Sequence, residues 1–151
     1  MTDEKLTQQQ LQDLAQRHQQ YQYQAESIAQ QMNMVQLTIK DVETALTTIT
    51  ALKDETPGKE MLVPIGFSSF VNATLTNTEK VVIGIGAGVS VEKKTDDAKA
   101  FLEKRKDELT KYNEKLNEAI SKLAQEIQNI EKIAQRYEQS GQQTAQPMHA
   151  E

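Results

Sequence analysis

Residues 11–49 read LQDLAQRHQQYQYQAESIAQQMNMVQLTIKDVETALTTI, and the spacing of their apolar positions decides the fold. Leu11, Leu14, His18, Tyr21, Ala25, Ile28, Met32, Val35, Ile39, Val42, Leu46 and Ile49 follow one another in steps that alternate three and four without a slip. A repeat of about 3.5 residues keeps one stripe aimed at a partner helix only when the two supercoil left-handedly. His18 is the polar residue of this seam, and a polar seam position helps to set register.

The helix that carries the seam has a readable start and stop. Thr7 and Gln10 stand as N-cap and N3 of a capping box, with Leu6 and Leu11 as the flanking hydrophobic staple. Thr56-Pro57-Gly58 ends it, because Pro57 disfavours helix at Thr56 and supplies no amide donor. The expected span is 7–55, roughly 70 Å at 1.5 Å rise per residue. Twelve glutamines lie between positions 8 and 36, a bias seen in disordered and β-aggregating tracts. The heptad runs through them, so they read as the solvated face of a helix.

A second stripe begins after Thr95-Asp96-Asp97, where Thr95 can cap and two acids face the positive end of the dipole. It is read as Ala98, Leu102, Arg105, Leu109, Tyr112, Leu116, Ile120, Leu123, Ile127, Ile130, Ala134 and Tyr137, with a stutter around Leu116. Gly141 is the expected C′ residue of a helix over 96–139, and 140–151 reads as a disordered tail.

The block between the stripes, 60–93, reads as strands. Met61 to Ile65 is an apolar run whose Pro64 fits only a sheet edge or a strand end. Phe70 to Leu75 alternates apolar and polar, and Val81 to Ile85 and Val89 to Glu92 are β-branched runs joined through Gly86-Ala87-Gly88. Two hairpins result, with open edges that a chain of this kind cannot cover itself. Val63, Phe70, Val71, Val82, Ile83 and Ile85 supply the apolar surface for an oligomer interface. The length of 151 residues fits one domain, 1–151, of α+β class: a long antiparallel two-helix coiled coil joined by two β-hairpins.

Composition narrows the function classes. At 37% hydrophobic and 5% aromatic the chain is thin for a globular core and suits a solvated coil with one buried seam. Net charge is −5 with acids and bases interspersed, so no phosphate-binding surface is marked and nucleic acid is not an expected partner. No cysteine is present, which excludes disulfides and thiolate metal sites and fits a reducing, cytoplasmic home. Met1 to Gln10 has no apolar run of a signal peptide, and Val81 to Val89 is too short and glycine-rich to span a membrane.

Catalytic and cofactor motifs are not found. Gly84, Gly86 and Gly88 approach a dinucleotide loop, but Val89 stands where its last glycine belongs and a strand follows instead of a helix. His18 and His149 have no partner at metal-ligand spacing, and no nucleophile stands beside a base. The acids and bases from Glu103 to Lys115 interleave as a solvated helix face. No catalytic, cofactor-binding or metal-binding residue is assigned, and the chain is not expected to be an enzyme.

Val63-Pro64-Ile65-Gly66-Phe67-Ser68-Ser69-Phe70-Val71, Val81 to Gly88, Val91-Glu92-Lys93, and Asp97-Ala98 with Phe101 together resemble the signature of prefoldin α-class subunits. The resemblance covers about residues 10–138, and the class with a single hairpin lacks half of this insert. Gly84 departs from a common Asp or Asn, and Ser90 from a larger residue. The resemblance implies a co-chaperone without ATPase activity, built as a hexamer of two α-class and four β-class subunits. In it the hairpins form a double β-barrel platform, and non-native polypeptides are held between arm tips and passed to a group II chaperonin. On that basis, and with facing positions summing to about 150, client binding is expected at Leu6, Leu11, Leu14, Ile130, Ile133 and Tyr137. A coiled-coil assembly subunit of another complex, binding no clients, would use the same platform.

Overall fold

The computed structural model describes residues 7–142. The order is α1 (Gln8–Leu52), β1 (Glu60–Gly66), β2 (Ser69–Thr74), β3 (Lys80–Gly86), β4 (Val89–Lys94) and α2 (Thr95–Gln142). The capping box forms as read. The Thr7 amide donates to Gln10 Oε1 at 2.7 Å, and the Gln10 amide donates to Thr7 Oγ1 at 3.3 Å. Its proposed staple partner Leu6 lies outside the described residues.

α1 stops three residues before the expected 55. The Asp54 and Glu55 amides donate to the Ala51 and Leu52 carbonyls, tightening the last turn to three-residue closures ahead of Pro57. α2 starts at Thr95 and runs through Gly141 to Gln142, past the expected end at 139. A glycine accepts helical dihedrals as readily as the left-handed cap, and the next helix breaker, Pro147, comes later in the chain. The rest of the expected tail, 143–151, is outside the described residues.

The described chain divides into two compact units. A two-helix seam buries each layer only against its neighbours, so no single core gathers the chain. In the first unit, residues 7–34 lie with 113–142, and the buried side chains are Leu116 and Ile130. His18 Nε2 lies 3.2 Å from Glu131 Oε1 across the two helices. In the second unit, Val35–Tyr112, Lys106 Nζ reaches Glu43 Oε1 at 2.8 Å, and Lys53 pairs with Asp96. In each of these pairs the residue numbers add to 149, which makes the helices antiparallel in the register the sequence implied.

All twelve seam positions of α1 are buried or half-buried, and the positions between them are exposed apart from Ala29 and Ala45. The α2 seam differs from the expected one at four places: Ala134 and Tyr137 are exposed, and the path shifts at two positions further up. Lys106 and Asn113 are half-buried where Arg105 and Tyr112 were expected, and those two are exposed. Leu109, Leu116, Leu123 and Ile130 stand seven apart, and an unbroken heptad through them passes position 113, not 112. The two consecutive steps of four therefore sit at Ala98-Leu102-Lys106, beside the hairpins.

The insert is two separate antiparallel ribbons, β1–β2 and β3–β4. They repeat each other at an offset of 20 residues. Glu60 pairs with Thr74 and Lys80 with Lys94, Val63 with Val71 and Ile83 with Val91, and both registers shift before the turn. Even the closing bonds repeat: the Leu75 amide donates to the Lys59 carbonyl, and the Thr95 amide to the Glu79 carbonyl. Both turns place two central residues at positive φ, Phe67 and Ser68 in one and Ala87 and Gly88 in the other, the geometry that matches strand twist.

Candidate functional site: the apolar hairpins and the helix ends

The second ribbon is seated on its own chain. Ile83 is 7% exposed and packs with Ile49 and the fully buried Ala98, while Val81, Phe101 and Leu102 close around them. Alternation puts Val81, Ile83, Val91 and Lys93 on this face, and Lys93 Nζ lies 5.8 Å from the centre of the Phe101 ring. Thr95 ties the seat to the preceding loop, because its hydroxyl donates to the Thr78 carbonyl at 2.8 Å. On the opposite face Lys80 Nζ bonds Glu92 Oε1 at 2.9 Å, and that carboxylate holds the ammonium's pKa above the usual lysine value.

The first ribbon has no such seat. All of β1 is exposed, and in β2 only Ala73 is half-buried. Leu62, Val63, Ile65, Phe70 and Val71 stand open, and Phe67 at the turn is fully exposed. Large open apolar areas of this kind mark interaction surfaces in soluble proteins. The edges of both ribbons are also unpaired, so main-chain donors and acceptors face outward on four strands.

Five of the six residues read as oligomer surface are therefore exposed: Val63, Phe70, Val71, Val82 and Ile85. Ile83 is not, because its side chain is already buried inside its own subunit. The six also do not share a face, since Val63 pairs with Val71 while Phe70 pairs with Pro64 on the other side. Leu62, Ile65 and Phe67 are exposed apolar residues of the same ribbon outside those six. The signal for Leu62 was the 20-residue repeat that aligns Val63-Pro64-Ile65-Gly66 with Ile83-Gly84-Ile85-Gly86 and gives each ribbon an inner and an outer face.

At the other candidate surface, Leu11 and Leu14 are half-buried on the seam and Ile130 is buried. Beyond Ile130 burial ceases, and every residue from 131 to 139 is exposed. Ile133 and Tyr137 are 39% and 37% exposed and are the large apolar residues of that stretch. The six residues read as client-binding thus separate into a buried closure residue, Ile130, two seam leucines, two exposed residues, and Leu6 outside the described chain.

Among the described residues no three of His, Cys, Asp and Glu gather as metal ligands, and no helix is long and apolar enough to cross a membrane.

A family profile described as prefoldin subunit matches residues 21–140. The prefoldin subunit alpha of Methanosarcina barkeri is 42% identical over 135 residues, covering 87% of this chain and 94% of that one. That of Pyrococcus horikoshii is 32% identical over 136 residues, covering 89% and 92%. Among solved structures, the cryo-EM structure of filamentous PFD from Methanocaldococcus jannaschii is similar at a TM-score of 0.68 and 26% identity, covering 76% of this chain and 95% of that one. Two long antiparallel helices, two ribbons with unpaired edges and these matches have one meaning: the chain belongs to the prefoldin family, close to its α members, as a co-chaperone subunit and not an enzyme.

Proposed function

We propose that this chain is the α-class subunit of a cytoplasmic, ATP-independent holdase, in which two copies assemble with four β-class subunits through the hairpins. The observation that carries the reading is the first ribbon, apolar on both faces and left exposed by the described residues at all positions but Ala73. Full burial of one such side chain contributes roughly 1.5–3 kcal/mol, so several together hold subunits at low concentration. Clients are non-native polypeptides, captured by Leu6, Leu11, Leu14, Ile133 and Tyr137 near the helix ends, with Ile130 closing the coil beneath them. Weak contacts from several arms add by avidity, so no deep pocket is required. Captured chains pass to a group II chaperonin.

The test uses the chain assembled with its natural β-class partner. Native mass should give two copies of this chain and four of the partner, and the complex should suppress aggregation of a chemically unfolded reference protein without ATP. Deleting residues 1–14 together with 131–151 should leave the mass ratio intact and remove most of that suppression. An assembled complex with no suppression at all would make this an assembly subunit of another kind. Transfer of labelled, bound client to a purified group II chaperonin tests the last step.

A further inference from the structure

Burial along α2 ends at one layer, and that layer holds the one polar interruption of the α1 seam. His18 Nε2 lies 3.2 Å from Glu131 Oε1, and because a carboxylate only accepts, the ring N–H donates. The imidazole side chain is 27% exposed and the carboxylate side chain 52%, so the pair sits at the margin of the seam, open to water. A polar ring edge costs free energy to bury unbonded. Drawing the ring toward Glu131 satisfies that edge and leaves the layer without an apolar side chain from α1 to close it.

The change in burial falls at the same place. Before the pair along α2, Leu116 and Ile130 are buried and Leu123 and Ile127 half-buried. From Glu131 onward every residue to 139 is exposed. The helices do not run out there. α1 begins at Gln8 and α2 continues to Gln142, so the pairing in which numbers add to 149 extends to Gln8 level with Gly141. The capping box of Thr7 and Gln10 fixes the first turn of α1 from within, without help from α2. These turns also carry apolar side chains to bury, at Leu11, Leu14, Ile133 and Tyr137. Both helices are formed and have apolar residues to offer, yet on α2 burial stops at the His18 layer.

We infer that His18 is a positioning residue for client capture. Its polar layer ends the closed coil at Ile130 and keeps the apolar turns beyond it available to unfolded polypeptide, while the cap holds those turns helical. The inference rests on the proposed reading of the helix ends as the client surface, and names the residue that keeps that surface open.

His18→Leu and His18→Gln test it, each in the full chain and in the complex with the natural β-class partner. Leu completes the seam, so the full chain should melt about 2–4 °C higher. Amides of 131–139 should then exchange with deuterium more slowly, because a closed layer opens less often. The assembled His18→Leu complex should lose a large share of its aggregation suppression at unchanged mass. Gln keeps a donor for Glu131 at the same position and should retain wild-type exchange and suppression. A residue that merely stabilised the arm would not lower capture while raising the melt. Unchanged exchange of 131–139 in His18→Leu overturns the inference and leaves the holdase reading standing. Slower exchange with undiminished suppression also overturns it, because clients are then held away from the helix ends. A wild-type complex that suppresses no aggregation defeats the holdase reading itself, and the inference with it.

Discussion

Phe67 pairs two unfavourable conditions in one residue. Its φ of 44° lies in the left-handed region, and its ring is fully exposed. For a residue with a Cβ that conformation costs about 1–2 kcal/mol, and asparagine is among the few that tolerate it. Phe67→Asn should therefore raise the stability of the isolated chain by about 1 kcal/mol in a denaturant melt. In the assembled complex the same change should weaken association, because the ring's burial is then lost. If the variant loosens the isolated chain as well, the ring already rests on something within it. Ile83 and Val82 make the complementary pair. Ile83→Asp places a charge among Ile49 and Ala98 and should cost the subunit about 4 kcal/mol, with loss of helicity on mild heating. Val82→Asp should change the melt by less than about 0.5 kcal/mol and act on assembly alone. Sequence could not separate the two, because Val81-Val82-Ile83 is a continuous β-branched run without alternation.

At the scale of elements, every seam position of α1 was legible, though its last turn was not, and in α2 part of the seam was misread. The α1 seam has His18 as its one polar interruption, so the three-four stepping carried the whole reading. In α2 the stripe was read through Tyr112, yet the chain turns Asn113 inward and leaves Tyr112 outside. Asn113 Oδ1 is buried without a hydrogen-bond partner. An unsatisfied buried amide costs about 1–3 kcal/mol, so Asn113→Leu should stabilise the coil by roughly that amount. A lower denaturation midpoint for that variant would show that the amide is satisfied by something the seam provides. Helix ends also carry a pH response. Lys53 bonds and attracts the Asp96 carboxylate and holds its pKa below the ordinary value. A lowered folded pKa stabilises above the unfolded carboxylate range, and that contribution is lost as pH falls through the folded value. Melting temperature should fall less steeply with acid for Asp96→Asn than for wild type. The carboxylate is mostly exposed, so the difference should fade in high salt.

For the molecule as a whole, the question is which apolar residues serve the subunit and which serve what it binds. Periodicity marks Ile130, Ile133 and Tyr137 alike as apolar on the last turns of a helix, and only burial separates them. Ile130 is closed in, whereas Ile133 and Tyr137 lie in the stretch where every residue is exposed. Ile133 and Tyr137 keep 39% and 37% of their surface open, so replacing both by Ser should cost about 1–2 kcal/mol, less than opening the closed Ile130 layer costs. If this surface holds unfolded polypeptides, the assembled variant should lose a large share of its aggregation suppression at unchanged mass. Avidity amplifies the loss, since each arm contributes a weak contact and all copies of this chain change together. Ile130→Ser should behave in the opposite sense, costing about 2–4 kcal/mol of stability through the buried seam. Any loss of capture in that variant should follow the melt, and disappear when the assay is run well below its transition. Capture that survives the double change and fails with Ile130→Ser far below its melt would place the client groove inside the coil's last closed layer rather than on the exposed turns beyond it.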